Sequence, residues 1–355
     1  MVVFIRGLGI ISAQHTFNTN EFLSELVSAK ENRLNSINPQ FKDFINPILV
    51  RRMGRIIKMG IAAASVCLKD AKIEMPDAIM TGTALGCLED TENFLMAIIE
   101  NEEQFLTPTS FIQSTHNTVS AQIALQLKCM NYNFTYVHKG FSFESALLDG
   151  MMTLAEGNAK NILVGGHDEM TDKYFRVCDR IGYWKKEVIE SQELINSTTS
   201  GSVAGEGAAF FVLSSEKSNT DYAVLKGIKS IYKPGDVEEI AANIKILLKE
   251  HKLVEEDIDL VIYGINGDSR FDPVYHELRK SCFSNSDAAW YKHLSGEYQT
   301  SASFALWLAA KILKTQTIPQ VVCIGEVRRQ SFNNILILNG FLHSHYTAFL
   351  VSACN

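Results

Sequence analysis

Seven cysteines, at 67, 87, 129, 178, 282, 323 and 354, are the strongest potential nucleophiles in the chain, and none forms a C-x-x-C pair. A thiol attacks only as its thiolate, which needs a helix N-terminus or a neighbouring cation to exist at neutral pH. Cys87 follows a glycine turn, a setting that suits a packed thiol better than a reactive one. The odd, unpatterned set points to reduced thiols in a cytoplasmic protein, and against disulfides or a zinc site. His343 and His345 stand two apart. A metal there would need further ligands that no spacing supplies, so a polar loop is the better account and no metal is expected. Arg51-Arg52-Met53-Gly54-Arg55 concentrates positive charge, either as a docking patch for an acidic partner or as the solvated start of a helix.

Short apolar runs alternate with amphipathic segments, the pattern of a mixed α/β protein with a buried sheet. The spacing predicts a helix over 52–72, with Ile57, Gly60, Ile61, Ala64 and Leu68 on one side, and a strand over 78–83 that leaves through glycine. A strand over 133–137 precedes a turn and a helix over about 141–156. Phe143, Leu147, Met151 and Leu154 line one face of that helix. Gly157-Asn158 stops it, and Asn161 to Gly166 reads as the next buried strand. Further on come a strand at 224–228, a helix at 237–250, a strand at 259–264, a long helix over about 299–314, and strands near 320–324 and 334–339. The two parts share an element order that suggests an internal duplication, and the polar stretch from Ser214 to Thr220 is the best boundary between them.

The chain has 355 residues, 46% hydrophobic and 21% charged, as in ordinary globular proteins. Its net charge of −7 argues against a nucleic-acid surface or an anionic membrane as partner, though a local basic patch would still serve an acidic protein. The opening run from Met1 to Gly7 reads as a first strand, too short for a signal peptide, and no apolar stretch reaches the roughly 18 residues of a membrane span.

Several segments, taken in order, resemble the β-ketoacyl-acyl-carrier-protein synthases of the thiolase-like fold. Ile5 to Ser12 is similar to their first strand and turn. Arg51-Arg52-Met53 with the alanine-rich run Ile61 to Ala71 is similar to their early helix, and Thr81 to Gly86 to their glycine-rich strand exit. Asn117 to Ala124 resembles the helix before the nucleophile strand. Gly157-Asn158-Ala159 leading to Val164-Gly165-Gly166 resembles the strand after the nucleophile helix. The most specific piece is Gly201-Ser202-Val203-Ala204-Gly205-Glu206-Gly207-Ala208-Ala209, ahead of a long strand. A lone glycine cluster is weak, since glycines simply permit tight turns; its weight comes from the order of the matches. Over 220–355 the resemblance is looser, and the chain is shorter than a usual member.

The resemblance implies an α/β, thiolase-like fold of two pseudo-duplicated halves, 1–215 and 216–355, in α-β-α-β-α layers, and a dimeric state. It places a nucleophilic cysteine in the turn Tyr136 to Ser142. Counting forward from Lys128-Cys129-Met130-Asn131 lands on His138, and counting back from Gly157 lands on Gly140. Neither of these, nor Lys139 between them, is cysteine. The two family histidines that assist malonyl decarboxylation fall at Asn266 and at Glu297, the latter in Lys292-His293-Leu294-Ser295-Gly296-Glu297, where Lys292 is kept. Each such group usually contributes about 10²–10⁴ in rate, so condensation by this chain alone is not expected. Phe341 and Phe141 stand where the family gates its pocket. Phe111, Ile112 and Gln113, within Thr107 to Asn117, would line the tunnel across a dimer, or pack as ordinary interface or core.

The function expected on this basis is a non-catalytic, chain-length-factor-like subunit of fatty-acid or polyketide-type synthesis, for instance of aryl polyenes. It would pair with a cysteine-bearing ketosynthase, or with itself, and meet an acyl carrier protein and its acyl chain. No cofactor is expected. Two alternatives stay open: an acyltransferase or thioester-processing enzyme built on His138, Glu297 and Lys292, or a binding module for acyl groups or carrier proteins. Lys292 and Glu297 read equally as an internal ion pair.

Overall fold

The structure, a computed structural model, describes residues 2–17, 19 and 22–354; Met1, read with the first strand, lies outside them. Ten strands form one sheet: β1 (Val3–Ile11), β2 (Ala78–Gly82), β3 (Tyr132–Tyr136), β4 (Asn161–Asp168), β5 (Gly207–Ser214), β6 (Ala223–Tyr232), β7 (Leu260–Tyr263), β8 (Asp287–Trp290), β9 (Asn334–Phe341) and β10 (His345–Ser352). The principal helices are α1 (Arg55–Ala71), α2 (Leu88–Glu100), α3 (Pro108–Gln113), α4 (Thr118–Leu127), α5 (Ser142–Ala155), α6 (Asp172–Arg180), α7 (Val237–Glu250), α8 (Pro273–Ser281) and α9 (Ala302–Thr315).

The strand order is β8-β7-β9-β10-β6-β1-β5-β4-β2-β3. From the centre outward, the first half runs β1, β5, β4, β2, β3 and the second β6, β10, β9, β7, β8, which is the same order. The strand senses repeat too. In each half the inner two pairings are antiparallel and the outer two parallel. The halves join along a short antiparallel seam where Val3 faces Leu225 and Ile5 faces Ala223. The duplication suggested by element order is thus carried by the topology, while residue identities have diverged.

Period-two alternation assigns each strand's side chains to two different cores. Ile162, Val164, Met80 and Leu213 point to the central core, and their neighbours Leu163, Ile79 and Val212 to an outer one under α1. In the second half Leu260, Ile262 and Ile335 face the centre, while Val261, Leu336 and Leu350 face α7 and α8. The central layer holds α5 and α9. Every residue of α9 from Ala302 to Ala310 is buried, which explains an apolar run with no polar face. The result is five layers, α-β-α-β-α.

Most sequence-derived elements lie within a few residues of their expected limits. One correction concerns 320–324, read as a strand from its apolar run. It is a 3-10 turn (Gln320–Val322) followed by a single bridge from Cys323 to Ala289, because Pro319 and the short run leave too few residues for a ladder. The long helix begins at Ala302 rather than 299, and β10 was not anticipated beyond the expected strand at 334–339.

Glu206, from the glycine-rich signature, is buried and gathers three segments. It accepts from both guanidinium nitrogens of Arg55 on α1 (2.6 Å to Nη1), from the backbone N–H and hydroxyl of Ser36 (2.9 Å each), and from the Met170 N–H (2.9 Å). Burial alone would raise its pKa, but Arg55 and these donors hold it below the ordinary carboxylate value. Removing one partner of a buried ion pair strands the other. Arg55→Met is therefore expected to lower stability by about 3 kcal/mol, read as an earlier urea midpoint with unchanged slope.

Candidate active site

The turn between β3 and α5 is held by one hydroxyl. Ser142 Oγ accepts from the His138 N–H (2.8 Å) and donates to the Lys139 carbonyl (2.8 Å). His138 and Lys139 are exposed, while Gly140 and Phe141 are buried. Lys139, between the two positions reached by counting, is the residue with left-handed backbone (φ 50°). A Cβ at Gly140 would lie 2.7 Å from Phe341 Cβ, so glycine is required for Phe341 to pack there. No thiol stands at this helix start. Cys87 caps α2 and is buried, and burial followed by the nearby Glu169 pushes its pKa well up, the opposite of activation.

Asn266, Lys292 and Glu297 do come together. Lys292 sits in a short helical turn after β8, and its Nζ is wholly enclosed. It donates to both Glu297 oxygens (2.9 and 2.7 Å) and to the Gly340 carbonyl at the end of β9 (2.8 Å). Asn266 Nδ2 donates to Glu297 Oε2 (2.6 Å). Gly296, at φ 71°, lets the chain turn between the lysine and the glutamate while its Cα passes against Gly205. A carboxylate bound at both oxygens by an ammonium and at one by an amide is a structural anchor.

Beneath this trio lie acids that sequence reasoning missed. Asp272 accepts from the Asn266 and Gly267 N–H groups (3.1 and 2.7 Å), and burial pushes its pKa up to about 7 despite those bonds. Glu144, on α5, is 1% exposed, and neither carboxyl oxygen reaches a hydrogen-bond partner. Burial pushes it up to about 8; Asn339, Lys292 and Thr347 offset this only in part, and no contact attains hydrogen-bond geometry. The signal available was a carboxylate beside the apolar stripe of α5. Asp168, at the end of β4, accepts from Thr83 Oγ1, the Ala84 N–H and Thr300 Oγ1, all at 2.9 Å, and so ties the halves together. Burial moves it up to about 6.

Glu297 and Asn266 open onto a cleft walled by Trp184, Tyr183, Phe271, Phe341 and Leu342. Its cavity volume is ≈ 20 Å³, room for about one water molecule. His138, Lys139 and Gly140 are not among its lining residues; Phe341 both lines it and packs on Gly140. His138 and Lys292 therefore do not line this cleft together with Glu297. His343 Nδ1 meets the Tyr346 hydroxyl (2.6 Å) and His345 Nδ1 the Ser344 hydroxyl (2.7 Å). Among the described residues no cluster of potential metal ligands occurs, and no helix is long and apolar enough to cross a membrane. Phe111 and Ile112 on α3 are exposed, and Gln113 donates to the Arg52 carbonyl.

Residues 27–187 match the family model of the β-ketoacyl synthase N-terminal domain. That stretch, a little under half of the chain, is similar to this domain. The fold of the whole chain is similar to a structure described as the ishigamide ketosynthase/chain length factor, at TM-score 0.83 and 16% identity over 100% of this chain and 99% of that one. A β-ketoacyl synthase from Burkholderia phymatum STM815 aligns at TM-score 0.82 and 16% identity over 100% of both chains. AntDE:AntF (apo), a type II PKS acyl-carrier protein in complex with its ketosynthase bound to the hexaketide, aligns at 0.72 and 16% identity over 99% of each. At such identity these likenesses establish a shared thiolase-like fold. No curated protein matches by sequence.

Two outcomes are expected of this ketosynthase-like site. Lys292→Ala, which strands Glu297, should cost about 3–5 kcal/mol, whereas Lys292→Met combined with Glu297→Leu should recover most of it in the same denaturation assay. For Glu144, the unfolded chain loses its proton near the ordinary value of 4.5 and the folded chain only at about 8, so stability must fall as pH rises between those values. Glu144→Gln has no proton to lose, and its urea midpoint should gain on the native protein steadily across that window.

Proposed function

We propose that this chain is a non-catalytic, chain-length-factor-like subunit that pairs with a cysteine-bearing ketosynthase and helps to bound the tunnel for its acyl chain. The observation that carries the reading is the turn before α5. An exposed lysine at its apex and a glycine sealed by Phe341 stand where a thiolate would be needed to hold an acyl group. The positions of the two family histidines are occupied by a locked carboxylate and the amide that bonds it, so enolate stabilisation goes with acylation.

A partner surface supports the pairing. β3 is the outermost strand of its half, and Tyr132 and Phe134 along it and Val137 just after it are exposed. Phe111 and Ile112 on α3, and Leu95 and Ile99 on α2, add further exposed apolar groups. An unpaired, apolar strand edge is a liability in an isolated chain and a template for a second sheet in a complex. Arg51, Arg52 and Lys58 border an open groove beside α3 and suit an acidic carrier protein. The neighbours described as a ketosynthase/chain length factor and as a carrier-protein complex favour this setting by analogy of fold; a cytoplasmic setting fits the free cysteines.

Co-expression with a cysteine-bearing ketosynthase tests the proposal. The expected outcome is a stable heterodimer whose products are longer than those of the ketosynthase alone. A strict homodimer that binds carrier protein without changing product length would instead favour a binding module. Thioester turnover abolished by His138→Ala would establish an altered enzyme and overturn the reading.

A further inference from the structure

Four basic side chains converge on the outer side of the turn before α5. His138 and Lys139 come from the turn, Lys233 from the exit of β6, and His345 from the first position of β10. The Phe141 ring forms their floor, with centroids 5.7 Å from His138 and 4.6 Å from His345. Tyr232 packs 5.1 Å from His345, and Lys233 Nζ lies 5.3 Å over the Tyr232 ring. Among the described residues, none of the four enters an ion pair. In a chain of net charge −7, a cationic cluster without a counter-charge is uncommon.

His345 supplies the second, independent observation. It is only 6% exposed, its Nδ1 is engaged by Ser344 Oγ, and its Nε2 has no hydrogen bond among the described residues. Burial, then repulsion from His138, Lys139 and Lys233, holds its pKa below the ordinary histidine value, and no carboxylate is among the causes. Glu144, the acid in the first turn of α5, is buried, and burial pushes its pKa up to about 8. Lys139 and Lys233 both take left-handed backbone (φ 50° and 49°), which an L side chain rarely adopts.

We propose that this cluster is a binding site for a dianionic phosphate group. Two ammonium groups neutralise the charge, and two imidazoles supply N–H donors over an aromatic floor. A monovalent carboxylate would leave part of the cluster's charge unmatched. The site needs no partner subunit, so it stands whether or not the pairing proposed above holds. Bound anion replaces repulsion at His345 by attraction, so its titration moves up, and by reciprocity the dianion binds more tightly as that imidazole protonates.

The test follows the histidine ring signals by NMR during titration of the full chain with inorganic phosphate, with sulfate as a dianion of constant charge, and with acetate. Saturable shifts of His138 and His345 with phosphate and sulfate, and a rise of the His345 midpoint, are expected. Affinity should fall at least about tenfold in Lys139→Gln/Lys233→Gln. Lys233→Gln alone, at an exposed position, serves should the double variant not fold, and must also weaken binding. No saturable shift, an equal response to acetate, or unchanged affinity in the lysine variants would overturn the proposal.

Discussion

A single buried ammonium group, that of Lys292, organises the second half's contribution to the cleft. Its three acceptors come from the segment after β8 and from the end of β9, and through Glu297 it also fixes Asn266 after β7. Enclosing an ammonium costs several kcal/mol unless its charge is matched and its hydrogens are all placed. Here both conditions hold, and they hold only while Glu297 stays ionised and turned inward. The need to satisfy that charge leaves the carboxylate no freedom to serve a substrate.

Around that anchor the protein distributes its buried acids by what surrounds them. Glu206 has a guanidinium and stays charged, whereas Glu144 has no hydrogen-bonded partner and is held neutral by burial. Asp168 lies between these extremes, satisfied by hydroxyls and N–H groups but without a cation. Asp168 and Glu206 are joints between segments distant in sequence. Glu144 has no such role, and the fold tolerates it because a protonated carboxyl is far cheaper to bury than a carboxylate.

Much of the scaffold was legible in the residues. Helical spacing in α1, α5 and α7 and the apolar runs of β2, β4 and β7 placed those elements closely, because a helix face or a buried strand writes its period into the chain. The run at 320–324 misled for the same reason: apolar character records burial, and burial does not require a ladder. The trio Asn266, Lys292 and Glu297 could be brought together from the resemblance alone. Glu144, Asp272 and Asp168 could not, since their roles depend on contacts across distant segments that no local pattern encodes. Nor could counting decide the turn. Its two answers, His138 and Gly140, straddle Lys139, and the backbone angle rather than spacing marks the apex.

The contact between Gly140 and Phe341 bears on how such a chain evolves. A β-carbon at 140 would lie 2.7 Å from the Phe341 Cβ and 3.1 Å from its ring, so adding a side chain there by one codon change collides with the opposite wall. A side chain at 140 requires a matching replacement at 341, at the end of β9. Phe341 therefore works as a ratchet on its neighbour: once it is packed there, position 140 is held to glycine, and neither residue changes size without the other.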